Sequence, residues 1–440
     1  MITPWIKPSL FCTASQIGRC YGLRHLVYRR HSTEVKPTPK SSAAFRPAEI
    51  RSVTELGPGG SYEYVSSPTS KLQSLKWTTP LENVLLVKKP HSQSTTRALV
   101  EFIEHIYAKY PSVNLIVPKD VAEEVASLLQ TPSNDDSVRP HVLYTGERPD
   151  IAHKANLMVT LGGDGTILHA VSLFRRFQVP PILSFSLGTL GFLLPFDFKE
   201  YESAFAQTFN SRAKCLHRTR LECDIIRKGG EEPVTRYAMN DIFLHRGPSP
   251  HLANLDIFID GVFLTRTTTD GLIFSSPTGS TAYSLSAGGS IISPIVACIL
   301  LTPICPRSLS FRPLILPHSS HIVVRVEPRP NQGTPDSPIT LSVDGISQEE
   351  LHVGDEIHVV NEVGTIYIEG NKLLTPQRMT HRHGDEHCFV DPAATDGRAA
   401  HLAGIYCVAK TENDWVRGIN ELLGFNSSFR STSRHDDNEV

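Results

Sequence analysis

The chain has 440 residues, 40% hydrophobic and 20% charged, which is enough for two globular domains and tails. Its net charge of −2 at neutral pH gives no electrostatic footprint for nucleic acid. The greasiest run, Ile291 to Cys305, is too short for a bilayer and carries Pro294 and Pro303, so no membrane partner is expected.

Residues 1–33 hold Lys7, Arg19, Arg24, Arg29 and Arg30 and no acid, the composition of a mitochondrial presequence, with a matrix location implied. Residues 34–76, rich in Pro, Ser and Gly, read as a disordered linker. An N-terminal α/β domain is expected over 77–211, with strands at 83–88, 113–117, 141–145, 157–161 and 182–186 alternating with helices at 94–109, 119–130 and after 164. That alternation implies a parallel sheet covered on both faces, whose ligands sit at the carboxyl ends of strands. Over 212–372 strand signals dominate: 219–227, 234–246, 253–260, 262–268, 271–275, 321–327, 339–343, 355–361 and 364–369. They predict a C-terminal β-sandwich domain. One helix is expected from Ser280, and Ile291–Cys305 reads as a buried helix and loop. Residues 373–412 look like an irregular insert, and 413–440 like a short helix (413–423) with a disordered tail. Cys12 and Cys20 fall in the presequence; the other six cysteines are scattered and read as reduced thiols.

The densest chemical signal is Gly162-Gly163-Asp164-Gly165-Thr166, between the strand ending at Leu161 and a helix carrying Ile167, Ala170, Val171 and Phe174. Backbone N–H groups and the positive end of a helix dipole meet an anion at such a turn, and glycines let a phosphate approach. An acid there suits a metal or a proton, both tasks of phosphoryl transfer. The chain has no G-x-x-x-x-G-K-[ST] loop, and G-x-G-x-x-G fails at Leu168. A second signal is the hydroxyl- and glycine-rich run from Asp270 to Gly289, centred on Tyr283, which suits a ribose, phosphate or ring.

Together with Gly188-Thr189-Leu190-Gly191-Phe192-Leu193 and Asn240-Asp241, these motifs resemble the NAD kinase family over roughly residues 77–372, and within it the fungal mitochondrial NADH kinases. The resemblance implies a Rossmann-like (phosphofructokinase-like) α/β domain followed by a β-sandwich, with the site between them. It implies ATP-dependent phosphorylation of the adenosine 2′-hydroxyl of NAD(H), ATP as donor, a divalent metal such as Mg²⁺, and a homo-oligomer. Alternatives are an NAD-preferring kinase of general type and a lipid or sugar kinase sharing the GGDG turn. Matched to the motifs, Asp164 is the candidate base, and Gly162, Gly163, Gly165 and Thr166 would cradle ATP phosphates. Asn240, Asp241, His251, Asp270, Thr281, Ala282, Tyr283 and Ser286 would bind NAD(H). Ile346 follows Asp344-Gly345 where the family often has Gln, and Thr268 occupies a position that bears on oxidised against reduced substrate. His381, His383, His387 and Cys388 invite zinc, but their spacing fits no standard zinc module, and they read as part of a solvated insert.

Overall fold

In the computed structural model, which describes residues 45–132, 140–174, 177–188, 191–230, 232–329, 337–362, 366–368, 371–373 and 404–424, the apolar run Asn83–Lys88 is buried throughout as a middle strand of a large sheet. Leu157–Gly162 and Ile182–Ser186 beside it are equally buried. Both faces are covered, which is why these strands are continuously apolar rather than alternating. Val84, Leu86 and Phe185 face one core with Leu99, Phe102 and Ile103 of helix Gln93–Lys109. Leu85, Val87 and Met158 face another with Ile167, Ala170 and Val171 of helix Asp164–Ser172.

Among the described residues this sheet has eleven strands. Its parallel part runs Glu49–Ser52, Val142–Thr145, Asn114–Ile116, Asn83–Lys88, Leu157–Gly162, Ile182–Ser186 and Ile405–Ala409. Lys214–Arg218 then pairs antiparallel with Ile405–Ala409 and with Gln73–Trp77, whose hairpin partner is Tyr62–Val65. Two six-stranded antiparallel sheets follow, stacked as a sandwich. Leu221, Cys223 and Ile225 of one sheet pack on Ile242, Leu244, Leu272 and Phe274 of the other.

Six expectations are corrected. Residues 45–76, placed in the linker, carry strands, because aromatic packing replaces the missing aliphatic pattern: Tyr62 meets Tyr64 and Trp77 edge-on, and Tyr64 stacks on Tyr406. In the 373–412 insert, Ile405–Ala409 is a strand in the middle of the large sheet; its pairing with Lys214–Arg218 is nearly 200 residues distant and invisible locally. Cys298–Ile304 is a strand, not helix and loop, because it lies between Gly271–Ser275 and Leu314–Pro317. The single strand expected over 234–246 breaks: Val234–Ala238 lies in one sheet of the sandwich and Asp241–His245 in the other. Helix Lys119–Ala126 is shorter than expected, and the helix after Ser280 is a 3₁₀ turn, Thr278–Thr281, followed by the single turn Tyr283–Ser286. Helix Asp414–Leu423 lies as expected. The presequence and the residues from His381 to Cys388 lie outside the described residues.

Candidate active site

The buried strand Leu157–Gly162 delivers the chain into a tight turn and then a nine-residue helix opening on Asp164. The turn is closed by Thr166, whose N–H donates to Gly163 O (2.9 Å) and whose Oγ1 accepts from Gly163 N (3.4 Å). A side chain at Gly162 would collide with Thr166 Oγ1, whereas at Gly163 and Gly165 a Cβ would stand in open space. The glycines therefore differ: the first permits the turn, and the other two keep the helix N-terminus accessible. Thr166 is buried and spends its hydroxyl on the turn.

Asp164 does not face bulk water alone. Its Oδ2 accepts from Phe192 N and its Oδ1 from Leu193 N, both at 3.1 Å. The loop comes this close because residue 191 is glycine; a Cβ there would strike the carboxylate. Burial pushes the Asp164 carboxyl above the ordinary range, and the two N–H groups and the charge of Arg218 oppose that rise. Two acceptor positions of the carboxylate are thus occupied and two remain for a hydroxyl proton.

The break between Val234–Ala238 and Asp241–His245 forms the second part of the site. Asp344 makes it. Its carboxylate accepts from Met239 N (2.8 Å), Asn240 N (2.7 Å) and Asp241 N (3.1 Å). Asp344 and Gly345, at φ 49° and 76°, form the tight hairpin turn that aims this carboxylate. The chain therefore turns sharply at Asn240 and presents Asp241 next. Ser276 N donates to Asn240 O (2.9 Å), and Gly279 lies against the Asn240 backbone so closely that no Cβ would fit. Asn240 Oδ1 is buried without a hydrogen-bond partner among the described residues. Asp241 is 7% exposed. Burial, then the neighbouring Asp344, pushes its carboxyl up to about 7, and burial likewise raises Asp344. The two share a proton economy rather than titrating independently.

Two contacts join the parts. Met239 packs into the core formed by Ile167, Leu193 and Leu194. Arg218, the last residue of its strand and buried, donates to Thr278 Oγ1 (3.1 Å) and to Phe192 O (3.5 Å). A cavity of about 430 Å³ opens beside them, lined by Gly188, Phe192, Arg218, Pro294, Ile295 and Trp415 among others.

Asp270 lies at the far end of the strand pair that starts at Asp241, where His245 opposes Gly271 and Asp241 opposes Ser275. Five residues of strand separate them, about 17 Å, the scale of an extended dinucleotide. Asp270 pairs with Arg246 at 2.6 Å. His251 is exposed in the following loop and reaches Asp270 only through Ser249 and Arg246. Thr281 and Ala282 are half-buried just after Gly279, and Ser286 is exposed. The Tyr283 ring, 43% exposed, stands edge-on to Phe243 at 5.0 Å. Thr268 Oγ1 meets Asn254 Oδ1 at 3.4 Å. The structure thus gathers Asp164, Asn240, Asp241 and the 281–286 turn, and sets Asp270 and His251 further along.

The model of the ATP-NAD kinase N-terminal domain matches residues 84–213, and that of the C-terminal domain matches residues 239–367. The mitochondrial NADH kinase of Saccharomyces cerevisiae is 57% identical over 412 residues, covering 94% of this chain and 97% of that one. The chain belongs to the NAD kinase family. The mitochondrial NADH kinase of Schizosaccharomyces pombe is 42% identical over 312 residues, covering 68% of this kinase and 74% of its own length. A crystal structure of yeast NADH kinase complexed with NADH matches with a TM-score of 0.75 and 56% identity, covering 88% of this kinase and all of that chain. Sequence reasoning missed three parts of the kinase site: Gly191 as the space for Asp164, Asp344 as the clamp on Asn240, and Arg218. Gly191 and Asp344 stood in recognisable motifs, whereas Arg218 had no signal at all.

Proposed function

We propose that the chain phosphorylates the adenosine 2′-hydroxyl of NADH, and of NAD, with ATP as donor, yielding NADP(H) in mitochondria. The observation that carries this is the Asp164 carboxylate, held by two backbone N–H groups at a helix N-terminus and joined to the Asn240–Asp241 turn. A ribose hydroxyl is a weak nucleophile and needs a positioned proton acceptor. In the transfer, the 2′-oxygen attacks the γ-phosphorus, its proton goes to Asp164, and the bond to the β-phosphate oxygen breaks to release ADP. Gly163 and Gly165 leave room for the donor phosphates at the helix N-terminus, with Gly162 and Thr166 fixing the turn that presents them. Asn240 offers its free buried oxygen to the adenine amino group, and Asp241 accepts from the adenosine portion. Thr281, Ala282, Tyr283 and Ser286 flank the dinucleotide, and Asp270, with His251 beyond it, receives the nicotinamide-side ribose.

Among the described residues no group of three His, Cys, Asp or Glu side chains is placed to hold a metal. Mg²⁺ commonly keeps several waters and binds largely through substrate phosphates, so it would ride on the ATP phosphates rather than in a cage of protein side chains. The metal would supply charge neutralisation on the phosphates. A homo-oligomer is supported by the edge strand Val262–Thr269, which exposes Val262, Phe263 and Leu264.

The test is phosphorylation of NADH and NAD side by side by the purified enzyme with ATP and Mg²⁺. Turnover with faster NADH use supports the reading. Faster NAD use makes it a general NAD kinase, and no product from either returns the choice to other GGDG kinases.

A further inference from the structure

Arg218 is a buried cation hydrogen-bonded to the loop that holds Asp164, and the mechanism above does not use it. Its side chain is 6% exposed. Among the described residues no carboxylate pairs with it; it donates to one hydroxyl and one peptide carbonyl, and the buried Cys407 thiol is a further neutral partner. Burying a guanidinium on neutral acceptors costs several kcal/mol, so a simple packing role would be better filled by an apolar residue. The acceptors are informative. Phe192 O accepts from Arg218 while Leu193 N, in the same peptide group, donates to Asp164 Oδ1, so one peptide group relays between the guanidinium and the carboxylate. The other acceptor, Thr278, opens the 3₁₀ turn that carries Thr281 and precedes Tyr283. Gly279, the next residue, is seated on Asn240.

We propose that Arg218 is a positioning residue that locks the Thr278 turn to the loop holding the Asp164 carboxylate, so that one guanidinium sets acceptor and base in register. Arg suits this better than Lys because its planar fork reaches two acceptors on different elements with fixed geometry. The inference rests on Asp164 acting as the base toward NADH, and wild-type turnover in the same assay separates failure of that reading from failure of this one.

The experiment is a double-mutant cycle in kcat for NADH, with Arg218→Met, Thr278→Val and the pair, and a melting curve for each protein. Arg218→Met should lower kcat about 10–100-fold, the worth of a charge-assisted hydrogen bond, with a smaller change in KM for ATP. Thr278→Val should lose less, the pair should lose no more than Arg218→Met alone, and Arg218→Lys should recover part of the rate. The proposal is overturned if the single losses multiply in the pair, or if folded Arg218→Met keeps kcat within about twofold of wild type. Should Arg218→Met not fold, the cycle is run with Arg218→Lys, and single losses that multiply in the pair overturn the proposal.

Discussion

Replacing Asp241 by Asn should trade activity for stability, with a pH dependence that identifies the cause. Folding raises this carboxyl from an ordinary 3.8 to about 7, mainly through burial and then through Asp344. Between those values the folded state binds more protons than the unfolded chain, so Asp241 makes stability fall as pH rises from about 4 to about 7, with the full penalty above 7. Three pKa units correspond to about 4 kcal/mol, and sharing of charge with Asp344 reduces this to about 2–4 kcal/mol. Asp241→Asn abolishes that term. The stability difference, variant minus wild type, should therefore grow by about 2–4 kcal/mol between pH 4.5 and pH 8, while kcat/KM for NADH falls. Urea denaturation midpoints across that range, with activity at pH 8, make the measurement. A stability difference that does not change with pH would refute the claim that the Asp241 charge is forced into a poorly solvated place.

Asp164→Asn should fold normally and lose about 100–10,000-fold in turnover; near-normal kcat would remove Asp164 as the base. Gly191→Ala should drive a methyl into the Asp164 carboxylate, lowering kcat at least about tenfold with little change in melting temperature, and an unchanged kcat would show that the loop can yield. Glu362→Gln should be strongly destabilising, by about 3–5 kcal/mol, because it leaves Arg220 buried beside a neutral partner. Thermal melts of that variant beside an Arg220→Met/Glu362→Leu double replacement check it: the double should recover much of the loss, and equal melting of all three proteins would contradict it.

The parts of this molecule readable in sequence are those whose cause is local. Asn83–Lys88, Leu157–Gly162 and Ile182–Ser186 are apolar on both faces, and helix Gln93–Lys109 repeats Leu99, Phe102, Ile103 and Ile106 at helical spacing. The GGDG turn is visible because glycine and an acid at a strand end are informative by type. What stayed hidden depends on distant partners. Nothing near residue 239 shows that Asp344 will break a strand there, and nothing near 405 shows which strands will accept Ile405–Ala409. Gln73–Trp77 looked like linker because only Leu75 among its residues is fully buried. Arg218 was hidden for the same reason: its role is defined by Phe192 and Thr278, on two other elements.

The placement of Ile405–Ala409 also sets a schedule. A chain entering an organelle N-terminus first presents every other strand of the large sheet before this one. Until it arrives, Lys214–Arg218 and the start of Ile182–Ser186, whose last two residues pair with Phe196–Asp197, each offer an unpaired edge in what will become the middle of the sheet. Arg218, at the end of one of those edges and opposite Ile405, reaches its final setting only when the slot is filled. The last strand of this sheet to be delivered thus closes it like a keystone, and a kinase cut short before residue 405 would have a gap through the middle of the sheet.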